Sequence, residues 1–171
     1  MVISVMWFSA AAAVLLALLF FGVYKTDKSD AGTELSSLAG VEREYERIIK
    51  SNGKCDVIYI GMSYEALHLH ADNEKRIKIC TIAEEKILDY CDSHGTGARV
   101  DGNNFILAAT EDKAGARALA QDLAAAESFK PLHISVGVFE ATCEDFRKAS
   151  GYAKKAARSV GESGYLSCGA E

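Results

Sequence analysis

No charged residue occurs before Lys25, and among residues 1–24 only Ser4, Ser9 and Tyr24 carry a hydroxyl. A helix of that length spans roughly 36 Å at about 1.5 Å per residue, enough to cross a hydrocarbon core of about 30 Å. The stretch also lacks a basic n-region, and its one small-residue run, Ser9 to Ala13, lies in its middle. Both absences count against a cleaved signal peptide, whose apolar core is usually only about 7–15 residues. Residues 1–24 are therefore read as a retained transmembrane helix. Nothing basic precedes it, while Lys25 and Lys28 follow, so the positive-inside tendency places the C-terminal domain on the cytoplasmic side of a cell membrane.

Other absences narrow the chemistry. The five cysteines (Cys55, Cys80, Cys91, Cys143 and Cys168) are odd in number, scattered and without a CxxC pair. That pattern resembles reduced, mostly buried thiols rather than a disulfide framework or a zinc site. All 19 basic and 24 acidic residues lie after the apolar stretch, leaving the soluble part with the whole net charge of −5 and no electrostatic footprint for nucleic acid. No Gly-rich phosphate loop, Ser/His/Asp arrangement or internal repeat stands out. His68 and His70 have no evident third ligand, and His133 falls on an alternating strand. Arg147, Lys148, Lys154, Lys155 and Arg158 share helical spacing and are read as a solvated face, the competing reading being a phosphate or lipid-headgroup contact.

What is present is one polar linker, 25–37, and one domain, 38–171. Ser36 or Ser37 caps a first helix with Val41, Tyr45, Ile48 and Ile49 on its apolar stripe, broken at Asn52-Gly53. Val57 to Met62 reads as a buried strand, and Ser63 to Asn73 as mixed, with room for a short helix. Glu74 to Cys91 is a helix with Ile77, Cys80, Ile87 and Cys91 at helical intervals. Ala98 to Val100 and Phe105 to Ala109 form a hairpin signalled by Asp101-Gly102, since glycine accepts positive φ. Asp112 to Phe129 is helical, and the only proline, Pro131, ends it before strand Leu132 to Phe139. A helix over Glu144 to Val160 and a short strand at Tyr165-Leu166 close the chain. From Val57 to Phe139 the order is βαββαβ, an α/β (α+β) arrangement of the ferredoxin-like or polymerase-palm kind, its helices on one face of an antiparallel sheet. A fold names no job.

Four segments carry a resemblance. Ala98-Arg99-Val100-Asp101-Gly102-Asn103-Asn104-Phe105-Ile106-Leu107 resembles the signature hairpin of GGDEF domains, the diguanylate cyclases of bacterial signalling. Leu38-Ala39-Gly40-Val41 with Arg43 and Tyr45 resembles the family's first helix. Ser135-Val136-Gly137-Val138 resembles its Ser-x-Gly strand, and Ala149, Ala153, Lys154, Ala156 and Gly161 resemble its closing helix. The resemblance covers about residues 37 to 168.

The resemblance implies a site that joins two GTP molecules into cyclic di-GMP with divalent cations, which need oxygen ligands and usually carboxylates. Here those hairpin positions are Asn103 and Asn104, whose amides bring no charge and cannot take up a proton as a carboxylate does. Ile58 to Ser63 at the end of the first strand has no acid, Asp56 and Glu65 being out of register. Asp101 stands where the family has a glycine. The base-reading pair falls near Leu67 and His68, and the phosphate-binding lysine aligns with Ala157, with Lys154 and Lys155 nearby. The inhibitory Arg-x-x-Asp motif is replaced by Asp92-Ser93-His94-Gly95. The expectation is a catalytically inactive, membrane-anchored GGDEF-like domain, without catalytic residues, metal or cofactor, serving as a regulatory or scaffold module for a protein partner or a second copy. The alternative is a nucleotide or cyclic di-nucleotide sensor without turnover, using Lys154 and Lys155 as phosphate contacts beside the degenerate hairpin Asp101, Gly102, Asn103, Asn104 and Phe105.

Overall fold

The computed structural model describes residues 35–64, 73–110, 113–125, 132–160 and 164–169. The expected span over 1–24, the linker up to residue 34, Leu67, His68 and His70 lie outside the described residues. Among the described residues, no helix is long and apolar enough to cross a membrane.

Helix α1 (Leu38–Asn52) is capped at its start by Ser37, whose side chain accepts the Gly40 N–H at 3.2 Å. Gly53 ends it at φ 75°, its N–H donating to the Ile49 carbonyl, in the left-handed conformation that glycine adopts without a Cβ clash. The residues just before α1 belong to the domain rather than to the linker. Leu35 is fully buried, and the Ser36 N–H donates to the Gly97 carbonyl at 2.9 Å in a parallel bridge to Ala98. Leu35 is the one large apolar side chain between residues 25 and 37, and burial draws it into the core ahead of the expected boundary at 38.

The remaining elements are β1 (Cys55–Tyr64), α2 (Asn73–His94), β2 (Gly95–Asp101), β3 (Asn104–Ala109), α3 (Lys113–Ala125), β4 (Leu132–Ala141), α4 (Phe146–Arg158) and β5 (Gly164–Gly169). The βαββαβ order from β1 to β4 is the one the periodicity predicts. The sheet runs β2-β3-β1-β4-β5, with the first four strands antiparallel and β5 parallel to β4. The last strand, expected at Tyr165-Leu166, occupies six residues around that dipeptide.

Alternation along β1 sends successive side chains to opposite faces, and both faces are covered. Ile58 and Ile60 pack with Phe105, Leu107, Ile87 and Leu123 beneath α2 and α3. Val57 and Tyr59 pack with Ile106, Ile48, Phe146 and Ala153 beneath α1 and α4. The two helices inside the βαββαβ unit thus share a face as expected, while the flanking helices close the other. Each large aliphatic side chain so buried contributes roughly 1.5–3 kcal/mol. Helix α4 approaches closely because its inner face is Ala149, Ala153, Ala156 and Ala157. A Cβ on Gly137 of β4 would run into the Ala153 carbonyl oxygen and the Ala157 amide nitrogen, so the helix backbone rests directly on this glycine.

Two expectations shift. Ile77 is 64% exposed, and the buried stripe of α2 is Cys80, Ala83, Ile87, Tyr90 and Cys91. Cys80 already lies level with the hairpin tip, its thiol 3.7 Å from Asn103 Oδ1, so Ile77 one turn earlier overhangs the end of the sheet. In the hairpin, Asp101 pairs with Asn104, making Gly102-Asn103 the turn rather than Asp101-Gly102. A bulge between Arg99 and Asp101 takes up the extra residue, and among the described residues positive φ occurs only at Gly53.

Candidate functional site

The end of β1 is where the resembling segments meet. Gly61 faces Asn104 of β3 on one side and Ser135 of β4 on the other, and the Met62 N–H donates to the Asn103 carbonyl at 3.1 Å. A Cβ built on Gly61 would lie 3.0 Å from Ser135 Oγ, 3.4 Å from Asn104 Oδ1 and 3.6 Å from the Tyr59 ring. The space a longer side chain at 61 would use is thus already shared by three neighbours. Ser135 Oγ donates to the Gly61 carbonyl at 3.4 Å.

At the hairpin, Asp101 Oδ1 accepts from the Asn104 side-chain amide and, at 3.5 Å, from the Asn103 N–H. Asn103 turns its Oδ1 toward Cys80 on α2. The two asparagines therefore point to different partners, one along the hairpin and one across to a helix. Phe105 is fully buried beneath α2, with the Arg99 guanidinium 5.5 Å over its ring and an ion pair from Arg99 to Glu84. Burial pushes the Glu84 carboxyl above its ordinary value, with Arg99 pulling it back.

Above β1, Tyr59 is buried and its phenol is pushed up, first by burial and then by Asp101, with Arg158 opposing. The Lys154 ammonium lies 5.4 Å over the Tyr59 ring, a cation–π distance. Between α1 and α4 a cavity of about 350 Å³ opens onto Tyr59 and Ile106, with Leu38 and Glu42 on the α1 side and Phe146, Arg147, Ser150, Gly151 and Lys154 on the α4 side.

These elements form the scaffold of a known architecture. Solved structures similar to the chain include the active GGEEF domain of a diguanylate cyclase from Vibrio cholerae (14% identity, TM-score 0.60, covering 72% of this chain and 88% of that one). The GGDEF domain of DgcB from Caulobacter crescentus, solved in complex with c-di-GMP, superposes at TM-score 0.65 with 12% identity over 82% of this chain and 95% of its own. The diguanylate cyclase SiaD from Pseudomonas aeruginosa, in complex with its activator SiaC, gives 0.60 at 14% identity, covering 96% and 71%. The chain has the GGDEF fold. No protein-family model matches the sequence, and no curated protein matches it.

Within the GGDEF fold, the predicted hairpin residues Asp101 to Phe105 sit together at the end of β1. Of the two lysines, Lys154 is half-buried over Tyr59, whereas Lys155 is exposed and outside the cavity. Ala157, which the sequence resemblance sets against the family's phosphate-binding lysine, is buried against Gly137. Arg147, Lys148, Lys155 and Arg158 are exposed, as a solvated face requires. Asp92 to His94 close α2 and Gly95 opens β2, with His94 stacked on Tyr90 at 4.5 Å. Cys55, Cys80 and Cys91 are buried, and Cys143 is exposed. Sequence reasoning missed Tyr59 and the cavity. A glycine inside an otherwise strong helix, Gly151, was its one visible sign.

Proposed function

We propose that this chain is a catalytically inactive GGDEF-like domain, anchored at the cytoplasmic face of a cell membrane and acting as a regulatory or scaffold module for a protein partner. The observation that carries this reading is the junction of Gly61, Asn104 and Ser135. At the point where β1, β3 and β4 converge, these three residues offer a glycine, an amide and a hydroxyl. Among the described residues, the nearby carboxylate is Asp101, and its Oδ1 is taken up by the hairpin's own asparagines. Hard divalent cations bound through one neutral amide gain little, and among the described residues at this junction no carboxylate besides the engaged Asp101 stands to receive a proton from an attacking hydroxyl. The apolar segment at residues 1–24 supports the membrane placement. The test is to incubate the detergent-purified full-length chain with GTP and Mg²⁺. No cyclic di-GMP is expected, and turnover that disappears on Asn104→Ala overturns the reading.

A second reading, a sensor that binds a nucleotide without turnover, is favoured by one observation. Lys154 is a half-buried cation held over Tyr59, whose ring borders the Gly61 junction. Calorimetry with GTP, ATP and cyclic di-nucleotides decides it, since no heat from any of them leaves the scaffold reading alone.

A further inference from the structure

The cavity between α1 and α4 is of ligand size, at about 350 Å³, and is distinct from the hairpin cleft, since neither Asn103 nor Asn104 lines it. Its floor is Tyr59 and Ile106, both buried. Its rim includes Leu38 and Val100, which are 47% and 41% exposed and leave apolar surface open to water around a concave site. On the α4 wall stand Arg147 and Lys154, and among the described residues neither cation has a carboxylate partner. Glu42 stands on the α1 wall. The charges are thus divided, cations on one wall and the anion on the other.

We infer that this cavity binds a small aromatic anion, its flat ring between the Tyr59–Ile106 floor and the Leu38–Val100 rim and its anionic group toward Arg147 and Lys154. An apolar slot with a few converging polar groups is the usual form of such a site. Lys154 is held half-buried over Tyr59, so much of its freedom is already lost before an anion arrives. Glu42 repels the anionic end from the α1 wall and so fixes the ligand's direction. The scaffold reading does not depend on this site, whereas the sensor reading uses the same Lys154, which lines the cavity and not the hairpin.

Gly151 supplies the test. It lines the cavity, lies inside α4, and a Cβ there would meet nothing within 4 Å. Leucine at 151 fills the slot while improving helix propensity, so loss of binding is separable from loss of folding. The full-length chain in detergent is titrated calorimetrically with 1-naphthyl phosphate against protein-free micelles, with 2-naphthalenemethanol as the neutral control. Saturable one-to-one binding of the phosphate is expected, weaker by about tenfold or more in Lys154→Gln, as for a lost charge-assisted hydrogen bond. In Gly151→Leu, binding is lost while the melting temperature is unchanged or raised. Absence of saturable heat with the unaltered chain, equal binding of the neutral naphthalene, or full binding by Gly151→Leu each overturns the inference.

Discussion

The Asn104 side-chain amide donates to the Asp101 carboxylate across the hairpin, the two residues facing each other as the last pair before the turn. Asparagine at 104 thus does something a carboxylate there cannot do. Asn104→Asp removes the donor and sets two negative charges opposite each other, which cross-strand pairing disfavours. A loss of about 1 kcal/mol in unfolding free energy is expected at pH 7. The loss shrinks at high salt, because screening weakens the repulsion between two exposed charges. Urea denaturation at low and high ionic strength measures it, and an equal loss at both counts against the pairing.

Gly137 bears the backbone of α4. Gly137→Ala forces the helix away from β4 at Ala153 and Ala157, an overpacking that typically costs about 1–3 kcal/mol. Thermal unfolding followed by circular dichroism should show a clearly lower midpoint. Gly151→Ala on the same helix, where space is open, should not lower it.

Arg99 shields a carboxylate that burial already disfavours. Glu84 has its folded pKa raised above the unfolded value, so its stability contribution is complete below that unfolded value and is lost as pH rises through the folded one. Arg99→Met keeps the packing over Phe105 but withdraws the opposing charge. The variant should lose about 1 kcal/mol, held down by the solvent that still reaches the pair. The loss should be greater at pH 7 than at pH 4, and Glu84→Gln in the same chain should recover part of it. Guanidinium denaturation of the single and double variants decides.

Burial pushes the Cys55 and Cys91 thiols and the Tyr45 phenol up to about 12. Unfolded thiols ionise near 8.5 and an unfolded phenol near 10. The folded state therefore holds protons the unfolded chain has released, and stability present at neutral pH should fall between about pH 8.5 and 12. Denaturation midpoints measured across that range should decline, less steeply in Cys55→Ala. At pH 7.5, iodoacetamide followed by peptide mass spectrometry should label Cys143 while leaving Cys55 and Cys91 unmodified.

The element order was legible because each element carries its own local signal: Ser37 and Gly53 bracket α1, and Val57 to Met62 is continuously apolar because helices cover both faces of β1. The hairpin turn was misplaced by one residue because a bulge leaves no mark in the pattern of side chains. Ile77 continues the helical period beyond the sheet it was expected to cover, and periodicity does not say where a sheet stops. Gly61 was visible as a missing acid, but its crowding by Ser135 and Tyr59 depends on strand register. The cavity draws on α1, the sheet and α4, and no single stretch of sequence shows that they meet.

The bridge from Ser36 to Ala98 has a mechanical consequence. The backbone reaches β2 before it reaches α1, and its parallel hydrogen bond to Gly97 lies beside the strand that leads into the hairpin. Tension applied to the chain ahead of Leu35 is therefore borne first by that bond and by the buried Leu35 side chain, in shear along the edge of the sheet. The hairpin strand is the first part of the domain to feel a pull from the N-terminal side.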